Sequence, residues 1–318
     1  MARRNPSTAT EVALGGFSPA LRLREAFGWI AARVPVHVAV VGLAALWSIP
    51  TIALLVSSFR DPREIATSGW WNAVKSPLDF TLDNYQKVLE TEGMGRAFIN
   101  SVIITVPATV LVILVAALAA YAFAWMQFPG RNVLFLIVVG LLVVPLQMTL
   151  IPVLRLYTDY LTIDAEMPVI GGRAFGTGSY AGMWLAHTAY GLPFAVYLLR
   201  NFFGSLPRDL FESAYLDGAS DLRVFFRIVL PLSMPAIAAL AIFQFLWVWN
   251  DLLIALILLP DPNLAPMTLK ITNLVTSFGS QYQLLTAAAF ISMALPLLIF
   301  FALQRYFIQG ILAGAVKG

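Results

Sequence analysis

Residues 212–231 read Glu212-Ser213-Ala214-Tyr215-Leu216-Asp217-Gly218-Ala219, then a charged run, then Ile228-Val229-Leu230-Pro231. The stretch lies between two long apolar segments. Carboxylates, small residues, a glycine and four nearby arginines (Arg200, Arg208, Arg223, Arg227) cannot all sit in a bilayer core. They form a water-facing connection, on the side where positive charge is retained. The apolar segments on either side are then membrane crossings.

Composition agrees. Hydrophobic residues make up 59% of the 318 and charged residues 12%, about half the charge of a soluble domain. The class is integral membrane. Cysteine is absent, which excludes a disulfide framework, thiol chemistry and Cys-based metal sites. A net charge of +3 gives no footing for nucleic acid.

The apolar runs predict an all-α protein with six spans, near 36–57, 98–126, 133–154, 180–203, 233–259 and 284–307, each long enough for a bilayer. Pro50, Pro107, Pro145, Pro193, Pro235 and Pro296 lie inside or at the edges of these runs. Helices in lipid tolerate this when neighbours satisfy the freed backbone groups. Residues 127–131 make a tight link between the second and third spans. Residues 1–35 form a polar tail in which Leu23, Phe27 and Ile30 share one helical face, opposite Arg22, Glu25 and Arg33. That reads as a short helix on the membrane surface, with an irregular tail as the alternative. The organisation is a tail (1–35), a six-span domain (36–307) holding the 204–231 connection, and a small-residue-rich end (308–318). With the N-terminus in the cytoplasm, twelve of the 20 Lys and Arg fall inside and eight outside, so the connection and both termini face the cytoplasm. The outer connections, 58–97, 155–179 and 260–283, are long enough to contact a partner; a solvated linker is the competing reading.

Within the connection, Pro207 followed by Arg208 and Asp209 predicts a helix start. Gly218 ends that helix or permits a close backbone approach. A second helix, about 219–229, would carry Leu222, Phe225 and Phe226 as an apolar face, and Pro231 marks the return to the membrane. Two rigid helices meeting at a small-residue corner can enter a cleft on another protein and pass rotation to the neighbouring spans.

The fifth span places Gln244, Trp247 and Asp251 on one helical face, with Asn250 beside them. An ionisable group in a span costs about 2.5–3.5 kcal/mol on insertion scales and is kept where it faces protein or water. Indole faces and amide or carboxylate groups suit a sugar, and Gln147 and Thr149 are positioned to join them. The alternative is an interfacial belt of Trp247 and Trp249, with Asn250 and Asp251 emerging into outer headgroups. His187 reads first as a helix–helix hydrogen-bonder, and Asn100 and Ser101 as boundary residues. No phosphate-cradling Gly-rich Lys motif occurs, and two distant histidines without cysteine make no metal site. Neither catalytic nor metal-binding residues are expected.

The order Glu212, Ser213, Ala214, Gly218, Ile228, Leu230, Pro231 resembles the "EAA" loop of ABC-importer permeases, with Ser213 where the family usually has alanine. The run Gln304-Arg305-Tyr306-Phe307-Ile308-Gln309-Gly310 and the ending 313–318 are similar to maltose-type carbohydrate permeases. The resemblance covers about residues 36–318. It implies a type I importer-like permease fold whose loop is a coupling helix docking on a cytoplasmic ATPase. Glu212, Ser213, Ala214, Asp217, Gly218, Ala219, Ile228, Leu230 and Pro231 would form that contact. Glu212 would hold the loop's fold by hydrogen bonds, and Gly218 would lie at the closest approach. It further implies a bacterial or archaeal cell membrane, two ATPase subunits binding ATP and magnesium, no cofactor in this chain, a second permease chain and an extracytoplasmic sugar-binding protein. The implied function is ATP-driven import of a di- or oligosaccharide, with a polyol or glycerol-phosphate as alternatives. An ion-gradient-driven transporter is the reading from another class; it predicts inverted repeats with midplane carboxylates, which the sequence does not display.

Overall fold

The computed structural model describes residues 19–75, 80–90, 93–166, 173–277 and 281–315. The chain divides into two compact units, Met1–Val56 and Ser57–Gly318. Helix α1, Pro19–Ser58, runs through Pro35 and Pro50 without interruption. The surface helix and first span expected as separate pieces are therefore one 40-residue helix. Its Val34–Ser58 portion is long and apolar enough to cross a bilayer. Residues 1–18, 278–280 and 316–318 lie outside the described residues.

In the second unit, two short helices, α2 (Pro62–Thr67) and α3 (Asp83–Glu90), flank a 3-10 turn at Trp70–Val74. Then come α4 (Met94–Trp125), α5 (Arg131–Leu141), α6 (Leu146–Tyr160), an antiparallel hairpin of β1 (Ile163–Glu166) and β2 (Arg173–Phe175), and α7 (Tyr180–Phe203). The 204–231 connection of the sequence is α8 (Arg208–Leu216), α9 (Asp221–Val224), a π turn (Phe225–Val229) and α10 (Leu230–Leu232). The chain ends through α11 (Met234–Trp249), α12 (Leu253–Leu258), α13 (Met267–Ser277) and α14 (Tyr282–Ala315).

Among the described residues, three helices are long and apolar enough to cross a membrane, or up to five if each bent pair counts as one span. Helix α7 is outside that count because tyrosines, His187 and Thr188 dilute its apolar character, yet its 24 residues rise about 36 Å, a full bilayer. Two expected spans are corrected. The third is broken: α5 and α6 meet at 103°, where Pro145 forces Val144 out of helical geometry. The fifth stops at Trp249 rather than 259, with Asn250 and Asp251 in a break before α12.

Side-chain contacts fix the directions of the crossings. Near the start of α4, Asn100 accepts a hydrogen bond from the Tyr180 hydroxyl at the start of α7 (2.7 Å). At the far end, the Trp125 indole donates to the Phe203 carbonyl (3.0 Å). Helices α4 and α7 thus run parallel, and the chain between them must recross. It leaves beside Trp125, where Phe123 packs on Phe135 and the Arg200 guanidinium lies 4.7 Å from the Phe135 ring centre. It arrives where the Tyr157 hydroxyl donates to the Gly182 carbonyl (3.0 Å). The bent pair α5–α6 is a broken crossing, not a loop that returns to its own side.

Proline is handled by tryptophan. A proline cannot bond the carbonyl four residues before it, so Pro107 frees the Ile103 carbonyl and Pro296 frees that of Ser292. The Trp184 indole donates to the first (2.7 Å) and the Trp249 indole to the second (3.0 Å). The core between α4 and α7 is built from small residues, among them Ala116, Ala117, Ala120 and Ala195. These let two backbones approach where lipid supplies no hydrophobic drive.

Candidate functional site: an inner elbow and an outer cleft

Helix α8 begins at Pro207, whose φ of −61° suits the turn into a helix. It ends in a Schellman cap: the Ala219 N–H donates to the Ala214 carbonyl (3.0 Å) and the Gly218 N–H to the Tyr215 carbonyl (3.0 Å). The cap requires a left-handed residue, and Gly218 has φ of +76°. A Cβ there would have no atom of the described residues within 4 Å, so conformation, not crowding, dictates the glycine.

The elbow is tied to the membrane helices by aromatic side chains. Phe211, on the buried face of α8, stacks on Trp125 of α4 at 3.6 Å. The Tyr121 ring packs on Phe225 at 5.3 Å. The Tyr215 hydroxyl donates to Asp221 (2.8 Å) and meets the Tyr121 hydroxyl at 3.4 Å, bridging both arms of the elbow to α4. Partial burial, then these two hydrogen bonds, push the Tyr215 phenol above its ordinary pKa, so it remains a donor.

The expected motif residues lie together on this elbow. Glu212, Ser213, Asp217 and Gly218 are exposed, and Ala214, Ala219, Ile228 and Leu230 pack against the inner core. Pro231 follows the π turn. Two expectations change. The Glu212 carboxylate is exposed and has no hydrogen-bond partner among the described residues, so the cap and the aromatic anchors hold the fold instead. Leu222, Phe225 and Phe226 do not share a face: Phe225 is buried, whereas Leu222 and Phe226 are exposed with Leu216, the last at 89%. The elbow thus has an apolar inner side clamped to α4 and an apolar tip turned outward.

The second constellation is at the opposite end of α11. A cleft of about 640 Å³ is lined by Gln147, Trp247, Asn250 and Asp251 together with leucines. Gln244 is buried outside it; its amide packs against Gly191, where a Cβ would come within 2.6 Å. It lines a neighbouring cleft of about 310 Å³ with Tyr190, Phe194, Phe243 and Trp247. Trp247 also borders a third, largely apolar cleft between α5–α6 and α7, about 520 Å³. The three clefts meet at this one indole. Their described linings contain a single carboxylate and no Lys or Arg.

Two of the expected path residues, Asn250 and Asp251, have local structural tasks too. Asp251 accepts from the backbone N–H groups of Ile254 (3.3 Å) and Ala255 (3.1 Å), capping α12. Asn250 donates to the Leu246 carbonyl (2.7 Å). Trp249 is core rather than belt: it is 2% exposed, stacked on Phe245 and bonded to α14. Thr149 meets the Tyr190 hydroxyl at 2.7 Å at the cleft wall. Tyr190 escaped the sequence reading because nothing local distinguishes it. Asn100 and Ser101 are not boundary residues but buried anchors. Asn100 donates to the carbonyls of Asn263 (2.8 Å) and Ala265 (3.0 Å), and Ser101 accepts from the Met267 N–H (2.9 Å).

Residues 97–312 match the family described as binding-protein-dependent transport system inner membrane component. The chain is 54% identical to an osmoprotective compounds uptake permease protein of Synechocystis, covering 90% of this chain and 92% of that one. It is 41% identical to an alpha-glucoside transport system permease protein of Rhizobium meliloti, covering 89% and 97%. Among solved structures, a bacterial ABC transporter that imports the acidic polysaccharide alginate superposes with a TM-score of 0.69 at 21% identity, covering 92% of this chain and 99% of that one.

Proposed function

Because this chain belongs to the binding-protein-dependent transport system inner membrane components, we propose that it forms half of the translocation path of an ATP-driven sugar importer. Its elbow would dock on a cytoplasmic ATPase. The observation that carries this reading is the build of the elbow: rigidly capped, clamped to α4, with Leu216, Leu222 and Phe226 exposed at its tip. Exposed apolar side chains on a water-facing elbow mark a protein contact. Closure of two ATPase subunits on ATP and magnesium would swing the elbow, and α4 would move with it through the Phe211–Trp125 stack. The elbow and both termini lie in the cytoplasm of a bacterial or archaeal cell, and the opposite face meets a sugar-loaded binding protein.

The second half of the path comes from another permease chain. The substrate borders Trp247, with Gln147, Gln244, Asn250 and Asp251 taking hydroxyls. The names of the relatives favour a glucoside or an osmoprotective compound. The cleft linings, free of Lys and Arg among the described residues, support a neutral rather than acidic sugar.

The test is reconstitution with the co-purified ATPase, second permease and binding protein, recording ATP turnover and uptake over a panel of neutral glucosides, polyols and uronic acids. ATP-dependent uptake with sugar-stimulated turnover is expected. Uptake by this chain alone on an ion gradient would overturn the reading.

A further inference from the structure

Behind the wall of the outer cleft lies a side chain that the proposed path does not use. His187 of α7 is 1% exposed, and neither ring nitrogen has a hydrogen-bond partner among the described residues. A neutral imidazole carries one donor and one acceptor, and buried polar groups rarely go without partners. Its polar and aromatic neighbours are both cleft residues. The ring meets Trp247 edge-on, centres 6.1 Å apart at 85°. Its Nε2 lies 3.8 Å from Asp251 Oδ2, too far for a direct hydrogen bond. A void of about 10 Å³ adjoins both groups, bordered also by Ser101 and Thr105 of α4. That is the room one water needs, among the polar partners a buried water requires.

We propose that His187 and Asp251 are joined by one internal water, and that this bridge makes His187 a positioning residue for Trp247 and Asp251. The inference rests on reading the cleft as the substrate path. Asp251 sits at the joint between α11 and α12, where its carboxylate already caps α12. A bridge to His187 pins that joint to α7 and, through the edge-on contact, holds the Trp247 ring at one angle. A sugar then meets a preset ring face and a preset acceptor, with no side chain to order on arrival.

The experiment uses the reconstituted complex and reads ATP turnover with sugar-loaded binding protein divided by turnover without sugar. In His187→Leu that ratio falls at least about fivefold, the lower range of site-to-site coupling. In His187→Gln, which keeps a donor and an acceptor, it returns to within about twofold of the unsubstituted complex. In an Asp251→Ala background, His187→Leu changes the ratio by less than about twofold, since the bridge is already gone. Equal losses for the Leu and Gln variants, or independent losses for His187 and Asp251, overturn the bridge. If the His187→Leu complex is not recovered intact, the same cycle is run with His187→Ala and Asp251→Ala, and independence again overturns it. An unsubstituted complex that ignores sugar sinks the path reading itself; a responsive complex whose His187→Leu form responds equally sinks only the bridge.

Discussion

Around Gly218 the chain interrupts its helices with backbone bonds, whereas around Asp251 it does so with side chains. The elbow's cap is closed between residues 214 and 219, and its apolar anchors face inward while its tip is bare. The break after Trp249 is closed by groups remote in sequence: Thr268 donates to the Asp251 carbonyl at 2.6 Å, and Trp249 reaches α14. The elbow is a self-contained rigid piece that can move as a body. The break is a joint whose geometry depends on three other helices.

The contrast is broken most severely at the elbow's anchor. Phe211→Ala removes a buried ring stacked at 3.6 Å and should cost about 3–5 kcal/mol, seen as a lower unfolding temperature and loss of the ATPase from the purified complex. Gly218→Val forces a β-branched residue to φ of +76°, at about 1–3 kcal/mol. Gly218→Asn should largely keep both stability and ATPase recruitment. If the two behave alike, backbone conformation is not what the glycine provides.

Between elbow and cleft, Trp184→Phe strips the donor from the carbonyl freed by Pro107. The loss should be about 0.6–2 kcal/mol, and it should shrink in a Pro107→Ala background, where the helix can bond its own carbonyl again. An unchanged loss would mean that the indole matters only for packing. The smallest effect is expected at the joint. Asp251→Asn keeps an oxygen for the α12 cap and should cost within about 0.5 kcal/mol, against about 1 for Asp251→Ala, while Asp251→Ala also weakens sugar-stimulated turnover. A larger stability loss for Asn than for Ala would remove the capping role.

The elbow was legible because its determinants are local. Pro207, Gly218 and Pro231 fix where helices start, turn and return, and their spacing is printed in the chain. The outward turn of Leu222 and Phe226 was not legible, since the π turn shifts the helical phase that periodicity assumes. At the cleft, the shared face of Trp247 and Asp251 could be read, but the break after Trp249 could not, because the apolar run continues through Leu252–Leu259 without a helix-breaking residue. Asn100 and Trp184 looked ordinary because their partners are up to 165 residues away. The prolines foretold that carbonyls would be freed; only the packed helices identify the tryptophans that answer them.

The π turn at Phe225–Val229 contains one more residue than regular winding needs. Rewinding it would lengthen the arm by about 1.5 Å and rotate everything before it by about 100°, swinging the tip to a different compass bearing. Pro231 opposes that rewinding at a cost of about 3 kcal/mol, because its ring would strike the Arg227 carbonyl and it has no N–H to offer. The bearing of the elbow is therefore held in part by the covalent chain itself, through a single ring.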